Sequence, residues 1–164
     1  MIPAMTLDTV SLYVPEGANV IVGQSHFIKT VEDVYEAIAT TVPQMKFGVA
    51  FNEASGPCLT RVDGNDEDMK AAATRNATAI AAGHVFVVVL AGGFPINVLN
   101  QVKNVPEVCR IFCATANPVE VVVSQTSLGR GVLGVIDGES PKGVEGPEDV
   151  EKRRAFLRMI GYKR

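Results

Sequence analysis

An uninterrupted apolar run at residues 85–90 constrains the fold more than any other feature of the sequence. Four of its six residues are valine, and the other two are phenylalanine and leucine. Apolar residues without polar alternation are typical of a strand that is covered on both faces of its sheet. Gly92, Gly93 and Pro95 follow closely, so the run is far shorter than the roughly 20 residues that a membrane helix needs. We expect a central, buried strand and no membrane segment.

Hydrophobic periodicity predicts the other secondary-structure elements. Apolar residues at helical spacing predict helices at residues 31–42, 66–82, 95–103 and 148–160. Alternating and β-branched runs predict strands at residues 10–14, 19–23, 46–53, 58–62, 108–114, 119–125 and 131–136. Because helices are interspersed with hairpins and crossovers, the predicted class is α/β (α+β), a mixed β-sheet covered by about four helices. No repeat or linker interrupts the pattern, so we expect a single domain over residues 1–164.

Charge argues against a protein that binds nucleic acid. The net charge is −3 and the pI is near 5.4, whereas binding to duplex nucleic acid normally needs a basic face. One basic cluster lies at residues 152–164. It is consistent with phosphate binding or with a solvated helix face, and we favour the second interpretation.

Apolar content, cysteine spacing and the first residues bear on assembly, thiol state and cellular location. Apolar residues make up 47% of the chain, a surplus that suggests a subunit interface. Cys58, Cys109 and Cys113 lack the spacing of a zinc site, so we expect buried free thiols. Residues 1–8 lack a basic region followed by an apolar core, and we therefore expect a cytoplasmic protein without a secretory signal.

The polar segment at residues 24–30 holds the main candidates for catalysis. His26 precedes the predicted start of the first helix, where a helix N-terminus favours an anion. Its imidazole suits a general base or a phosphoryl-accepting nucleophile, and Lys29 would balance phosphate charge. Gln24, Ser25 and Thr30 are candidates for binding the phosphate itself. A histidine that only hydrogen-bonds within its loop explains the same pattern, and the residues alone slightly favour that reading.

A glycine-rich segment is the second candidate site. Gly129-Arg130-Gly131-Val132-Leu133-Gly134 matches G-x-G-x-x-G, but it lies between two predicted strands rather than between a strand and a helix. Such a hairpin lets backbone N–H groups approach a phosphate, and Arg130 would add a permanently charged donor. Phosphate binding and a plain tight hairpin explain the segment equally well.

Carboxylates at strand ends and turns are candidates for holding a hard cation. Glu53, Asp63 and Asp137 occupy such positions, and phosphoryl transfer commonly uses Mg²⁺ held by carboxylate oxygens. Each of the three also fits a simple turn former. Asn97 suits either a purine edge or a turn cap, and His84 suits a contact with the C-terminal dipole of the second predicted helix.

These segments, taken together, resemble the adenosine-specific kinase family. The matching motifs are Gly23-Gln24-Ser25-His26-Phe27-Ile28-Lys29-Thr30-Val31-Glu32-Asp33, Lys46-Phe47-Gly48, Glu53-Ala54-Ser55-Gly56, Ala82-Gly83-His84, Phe94-Pro95-Ile96-Asn97-Val98-Leu99-Asn100, Ala114-Thr115-Ala116-Asn117-Pro118, Gly129-Arg130-Gly131, Gly134-Val135-Ile136-Asp137-Gly138 and Ile160-Gly161-Tyr162-Lys163. They follow one another in the family's order along nearly the whole chain. The resemblance implies binding of adenosine or AMP, phosphorylation of a nucleoside, and a histidine that carries a phosphoryl group, for which we choose His26 over His84.

The resulting hypothesis is a phosphotransferase that phosphorylates adenosine through a phosphohistidine or by direct transfer. Its expected cofactors are Mg²⁺ and ATP or another nucleotide as phosphoryl donor, and its expected ligands are adenosine, AMP and ADP. The resemblance also implies a homo-oligomer, with a trimer as one form, and sites near the subunit contacts. The alternative is a sensor or regulatory module that binds AMP or ADP without turnover, and a purely structural assembly module is a third reading.

Overall fold

The computed structural model describes residues 5–164. Its strands are β1 (Thr6–Ser11), β2 (Asn19–Ser25), β3 (Lys46–Asn52), β4 (Thr60–Gly64), β5 (Val85–Ala91), β6 (Val108–Thr115), β7 (Val119–Gln125) and β8 (Arg130–Asp137). Its helices are α1 (Thr30–Thr41), α2 (Glu67–Ile80), α3 (Leu99–Lys103) and α4 (Pro147–Met159). A 3-10 turn at Pro95–Asn97 precedes α3, so the helix predicted from residue 95 is divided in two. Within this part of the chain, no helix is long and apolar enough to cross a membrane.

The strands of the described residues form two antiparallel sheets. The larger has the order β4-β3-β5-β2-β6, and the smaller has the order β1-β7-β8. Every neighbouring pair is antiparallel. The α/β class is confirmed, while two antiparallel sheets replace the single mixed sheet that we expected. Pairs such as β2 with β6 join segments far apart in the chain, and tertiary packing selects them rather than any local pattern.

Strand β5 occupies the centre of the larger sheet, as the apolar run predicts. Residues 85–90 are all buried. On one face the sheet packs against α1 and α3 around Phe47, Phe51 and Phe86. On the other face, residues such as Val87 pack against α2 and the smaller sheet. Both faces of β5 are therefore shielded from water, which explains why an antiparallel strand carries no polar alternation.

The chain between β1 and β2 crosses from one sheet to the other. The predicted turn at residues 15–17 is present, and the Ala18 N–H donates to the Pro15 carbonyl at 3.0 Å. However, β1 pairs with β7, whereas β2 pairs with β5 and β6. β1 also begins earlier than expected, at Thr6, because β7 provides backbone partners for a stretch that lacks apolar alternation.

The two ends of α2 are formed in different ways. Asp66 caps the N-terminus, because its carboxylate accepts from the N–H groups of Asp68 and Met69, both at 3.1 Å. At the other end Ala81 adopts the left-handed conformation, with φ 52°. Gly83, two residues further on, is needed for space, since a Cβ there would lie 2.9 Å from the Cβ of Ala54.

The three cysteines are free but differ in exposure. Cys113 is buried, and burial raises the pKa of its thiol to about 11. Cys58 and Cys109 are exposed, so the prediction of buried thiols is wrong for these two. Cys58 lies in the loop between β3 and β4, and Cys109 lies on the edge strand β6, where a residue can face solvent within an otherwise apolar segment.

Candidate functional site

A cleft opens where four connecting segments meet at one end of the larger sheet. Its first part, here called the wide pocket, has a volume of about 530 Å³ and is lined by Glu53, Ala54, Cys58 and residues 129–131, among others. Its second part, the histidine pocket, has a volume of about 310 Å³. The two pockets share Glu53 and Ala54 and therefore form one continuous depression.

Both histidines of the protein line the histidine pocket. His26 comes from the β2–α1 loop and is exposed, while His84 immediately precedes β5 and is half-buried. The His84 ring is stacked on Phe51, with 5.8 Å between ring centroids and 14° between the ring planes. The His84 N–H donates to the Asn52 carbonyl at 2.8 Å, and the His84 carbonyl accepts from the Ser25 N–H at 2.9 Å. His84 is thus held at both its ring and its backbone, whereas His26 stands at the rim.

Backbone strain is concentrated at this cleft. In the described part of the chain, three residues other than glycine have positive φ: Cys58 at 51°, Ala81 at 52° and His84 at 63°. Cys58 and Ala81 line the wide pocket, and His84 lines the histidine pocket. Such conformations cost about 1–3 kcal/mol each and cluster at functional sites. This clustering is a signal that the sequence did not contain.

Glu53 lines both pockets, and its carboxylate is fixed by three hydrogen bonds. Its Oε1 accepts from Arg61 Nε at 2.8 Å and from Arg61 Nη2 at 2.6 Å, and its Oε2 accepts from the Leu59 N–H at 2.8 Å. These interactions lower its pKa, with the Leu59 N–H as the largest cause. Both oxygens of this carboxylate are therefore committed to protein donors.

The loop that carries His26 is fastened to Glu107. The Glu107 carbonyl accepts from the His26 N–H at 3.1 Å and from the Ser25 hydroxyl at 3.0 Å. The Ser25 and Thr30 hydroxyls lie 2.5 Å apart, and the Thr30 hydroxyl also donates to the Phe27 carbonyl. Ser25 and Thr30 are buried. Their hydroxyls hold the loop together and do not face the cleft.

Lys29 lies between two carboxylates beside the same loop. Its Nζ is 2.9 Å from Asp33 and 3.9 Å from Glu107, and the hydrogen bond to Asp33 raises its pKa. The Glu107 side chain is 1% exposed, and neither of its carboxylate oxygens has a hydrogen-bond partner among the described residues. Burial raises the pKa of Glu107. The charge of Lys29 is therefore already balanced before any phosphate binds.

Arg130 lines the wide pocket but also serves as a helix cap. Its Nη1 donates to the carbonyls of Ala79 and Ile80, at 3.2 and 3.3 Å, at the C-terminus of α2. Its Nε donates to Gln125 at 3.1 Å, and its Nη2 lies 3.5 Å from Asp8. We expected His84 to meet the dipole of this helix; the hydrogen bonds to its last carbonyls come from Arg130 instead.

The remaining sequence candidates lie apart from the cleft. Gln24 pairs within the larger sheet, between Val85 and Arg110. The Asn97 side chain accepts from the Phe94 N–H at 2.8 Å and so caps the 3-10 turn.

The proposed metal ligands also remain separate. Asp63 accepts from the N–H of Gly64, and Asp137 accepts from Asn117. Glu53 is engaged by Arg61. Among the described residues, no three His, Cys, Asp or Glu side chains come together in a way that could hold a metal ion. Glu53, Asp63 and Asp137 thus do not fit a resident metal.

Three segments that line the cleft were not predicted as parts of a site from the sequence pattern. These are the turn at residues 54–57, the corner at residues 81–83 and the hairpin residues Ser124 and Thr126. The family resemblance contained part of the missing signal, because its motifs include Glu53-Ala54-Ser55-Gly56 and Ala82-Gly83-His84. Their convergence depends on the order of strands in the sheet, which spacing along the chain does not reveal.

Comparisons with known proteins agree with the resemblance. None of the curated proteins matches this chain. The crystal structure of the PH1918 protein from Pyrococcus horikoshii OT3 is similar, with 45% sequence identity and a TM-score of 0.94. The similarity covers 98% of this chain and 99% of that one, so it extends through α4. A family profile described as "Adenosine specific kinase" matches residues 10–163. Because the profile spans nearly the whole chain, this protein belongs to the adenosine-specific kinase family.

Proposed function

We propose that this protein phosphorylates adenosine, with the cleft as its active site and His26 as the group that accepts the phosphoryl. The observation that supports this most is the placement of both histidines on a pocket that continues into a larger one. The wide pocket, at about 530 Å³, is within the range of pockets that hold ligands of nucleoside size. Family membership supports the choice of adenosine as acceptor.

In the proposed reaction a nitrogen of the His26 imidazole attacks the terminal phosphorus of ATP. The P–O bond to ADP breaks as the P–N bond forms, and ADP leaves with the bonding electrons. The 5′-hydroxyl oxygen of adenosine then attacks the same phosphorus, its proton is removed by a base, and the P–N bond breaks to regenerate His26. His26 suits this role because it is exposed at the rim, whereas His84 is stacked on Phe51 and held by its backbone.

The hairpin that lines the wide pocket supports an anionic ligand. Arg130 lines the wide pocket, and Gly129 and Gly131 beside it leave the hairpin backbone open to a phosphate. A Cβ at Gly129 would meet nothing within 4 Å, and one at Gly131 would meet only the Ser124 hydroxyl, at 3.6 Å. Lys29 adds little to this attraction, because Asp33 and Glu107 already balance its charge.

Mg²⁺ in this proposal accompanies the phosphates of the donor rather than occupying a resident site. The carboxylates named above do not converge, so we assign it no protein ligands. We also propose that the protein acts in the cytoplasm as a homo-oligomer, a trimer being one form. These proposals rest on composition and on the family.

The test is a phosphorus NMR time course of the wild-type protein with ATP, Mg²⁺ and adenosine, with guanosine and cytidine as parallel acceptors. We expect AMP to appear with adenosine alone. His26→Ala should abolish both a phosphohistidine signal and AMP formation, while His84→Ala serves as the control on the same pocket. Unchanged turnover in the His26→Ala variant, or labelling on His84, would overturn the role of His26.

A sensor that binds AMP or ADP without turnover is the second candidate. It is favoured by the engagement of polar groups in and near the cleft: Glu53, Lys29 and Arg130 all have protein partners. Isothermal titration with AMP and ADP, run beside the NMR experiment, separates the two functions. Saturable binding with intact ATP under every condition would favour the sensor.

A further inference from the structure

Glu107 is a buried acidic residue that the proposed reaction does not use. It lies between α3 and β6, directly before the first residue of β6. Its side chain is 1% exposed, and its two carboxylate oxygens are the only buried side-chain oxygens or nitrogens of the described residues that lack a hydrogen-bond partner. An ionised carboxylate can only accept hydrogen bonds, so burial without a donor is costly for that form. This exception requires a physical explanation.

Two carboxyl groups share one ammonium at this position. Lys29 Nζ lies 2.9 Å from Asp33 Oδ2 and 3.9 Å from Glu107 Oε2. Asp33 and Lys29, both at the N-terminal end of α1, are the charged groups that act on the Glu107 carboxyl. From β2 and the loop after it, Glu107 meets the Ser25 hydroxyl and the His26 N–H, which are uncharged and bind its carbonyl. One ammonium balances one negative charge, so a buried pair of carboxyl groups beside it tends to retain a proton.

Burial and distance decide which of the two carboxyl groups keeps that proton. Asp33 is closer to the ammonium and its side chain is 28% exposed, whereas Glu107 is farther away and buried. A negative charge therefore costs less on Asp33 than on Glu107. Burial is the largest cause that raises the pKa of Glu107, and a hydrogen bond with Asp33 raises it further. A protonated Glu107 is itself a donor, for which the Asp33 carboxylate is an acceptor.

The backbone of Glu107 holds the loop that carries His26. Its carbonyl accepts from the His26 N–H at 3.1 Å and from the Ser25 hydroxyl at 3.0 Å. Glu107 thus meets the start of this loop through its carbonyl and the beginning of α1 through its side chain. An ionised Glu107 without donors would be drawn towards water and would shift the carbonyl that binds His26. The position of the loop therefore depends on the protonation of Glu107.

We propose that Glu107 is a neutral carboxylic acid in the folded protein at neutral pH, that it donates a hydrogen bond to Asp33, and that it is thereby the positioning residue for His26. Lys29, Asp33 and Glu107 together then carry no net charge. Glu107 lines neither pocket, so it acts through His26 and does not touch the substrate. The catalytic consequence rests on the proposed function, whereas the protonation of Glu107 and its hold on the loop do not.

Infrared difference spectroscopy at neutral pH tests the protonation. The spectrum of the wild type minus that of Glu107→Gln should contain the carbonyl band of a protonated carboxyl group. The control Glu36→Gln, at an exposed position on α1, should show only the loss of a carboxylate band. Asp33→Asn should remove the carboxyl band, because Lys29 then pairs with an ionised Glu107. A wild type without the band, or a band that persists in Asp33→Asn, would overturn the proposal.

Hydrogen exchange measured by NMR tests the hold on the loop without an assay of activity. Glu107→Met keeps the length of the side chain but cannot donate to Asp33, so the His26 N–H should exchange faster. Glu107→Gln should exchange like the wild type, because its amide can donate in place of the carboxyl. The His84 N–H, which is bonded to the Asn52 carbonyl, should exchange equally in all three proteins. Equal exchange at His26 in the methionine variant and the wild type, or equally fast exchange in both variants, would refute the role of this hydrogen bond.

Steady-state kinetics measures the catalytic consequence. Glu107→Met should lower kcat by about 100-fold through misplacement of His26 and leave KM for adenosine nearly unchanged, and Glu107→Gln should restore most of the loss. A methionine variant with the wild-type kcat and faster exchange at His26 would refute the positioning role. If the wild type makes no AMP while the carboxyl band and the exchange pattern are as expected, the kinase activity is refuted and the hold of Glu107 on the loop is supported.

Discussion

Glu107 contacts both ends of the loop that carries His26: its carbonyl accepts the His26 N–H at 3.1 Å, and its carboxylate lies 3.9 Å from the Lys29 ammonium. The carboxylate is buried, and its oxygens have no hydrogen-bond partner in the described residues. A buried polar group without a partner is destabilising. The loop that carries His26 is therefore held at one end by a backbone hydrogen bond and at the other by the buried Glu107 carboxylate beside Lys29.

Glu107→Gln should remove a pH dependence of stability. Burial raises the pKa of Glu107 above its ordinary value of 4.5, so the folded protein binds this proton more tightly than the unfolded chain. Stability is then lost as pH rises from the ordinary value through the folded pKa. In urea unfolding at several pH values, the free energy of unfolding of the variant should rise relative to that of the wild type as pH increases through that window. Glu36→Gln, an exposed position on α1, is the control and should show no such trend. If the difference in free energy of unfolding between Glu107→Gln and the wild type does not change with pH, this account is wrong.

Arg130→Ala should destabilise α2 from its C-terminal end. The substitution removes hydrogen bonds to the Ala79 and Ile80 carbonyls, and we expect a loss of about 1–2 kcal/mol in the free energy of unfolding. Denaturant unfolding measures it. Arg110→Ala is a suitable control, because Arg110 is exposed and forms no side-chain hydrogen bond in the described residues. Equal stability of the two variants would show that Arg130 does not cap the helix.

Gly48→Ala should be strongly destabilising. A Cβ at Gly48 would collide with the backbone of Met69 and Lys70, because α2 lies directly on β3 at this point. Overpacking against backbone atoms costs about 3 kcal/mol, which thermal unfolding would detect as a clear fall in Tm. Gly143→Ala, where a Cβ meets nothing within 4 Å, should leave Tm nearly unchanged. A Gly48→Ala protein with the wild-type Tm would show that α2 does not lie so close to β3.

Asp66→Ala should cost about 1 kcal/mol, because it removes the side chain that caps α2. In a chain of this length that corresponds to a fall in Tm of about 2–4 °C. Asp68→Ala is the matched control in the same helical turn, where the side chain accepts no hydrogen bond from any described residue and only the dipole interaction is lost. Asp66→Asn should keep most of the cap. If Asp68→Ala has the larger effect, charge rather than the hydrogen bonds of Asp66 stabilises this end.

The sequence by itself determined the elements and much of their local chemistry. The apolar run at residues 85–90 is long enough and uniform enough to require a strand buried on both faces, and β5 is that strand. Asp66 starts α2 because a carboxylate at that position can accept two free backbone N–H groups. The family was also identifiable from the sequence, because its motifs follow one another in order along the chain.

Only the tertiary structure decided how these elements combine. Strand order brings the β3–β4 turn beside His26 and His84, and it directs Arg130 to the end of α2. The same strand pairing also decides which residues meet solvent: Cys58 and Cys109 are exposed, whereas Ser25 and Thr30 are buried. It keeps Asp63 and Asp137 apart from Glu53. Local patterns report what one segment prefers, whereas the choice between competing partners depends on apolar area buried across the whole fold. That quantity cannot be read from any single stretch of residues.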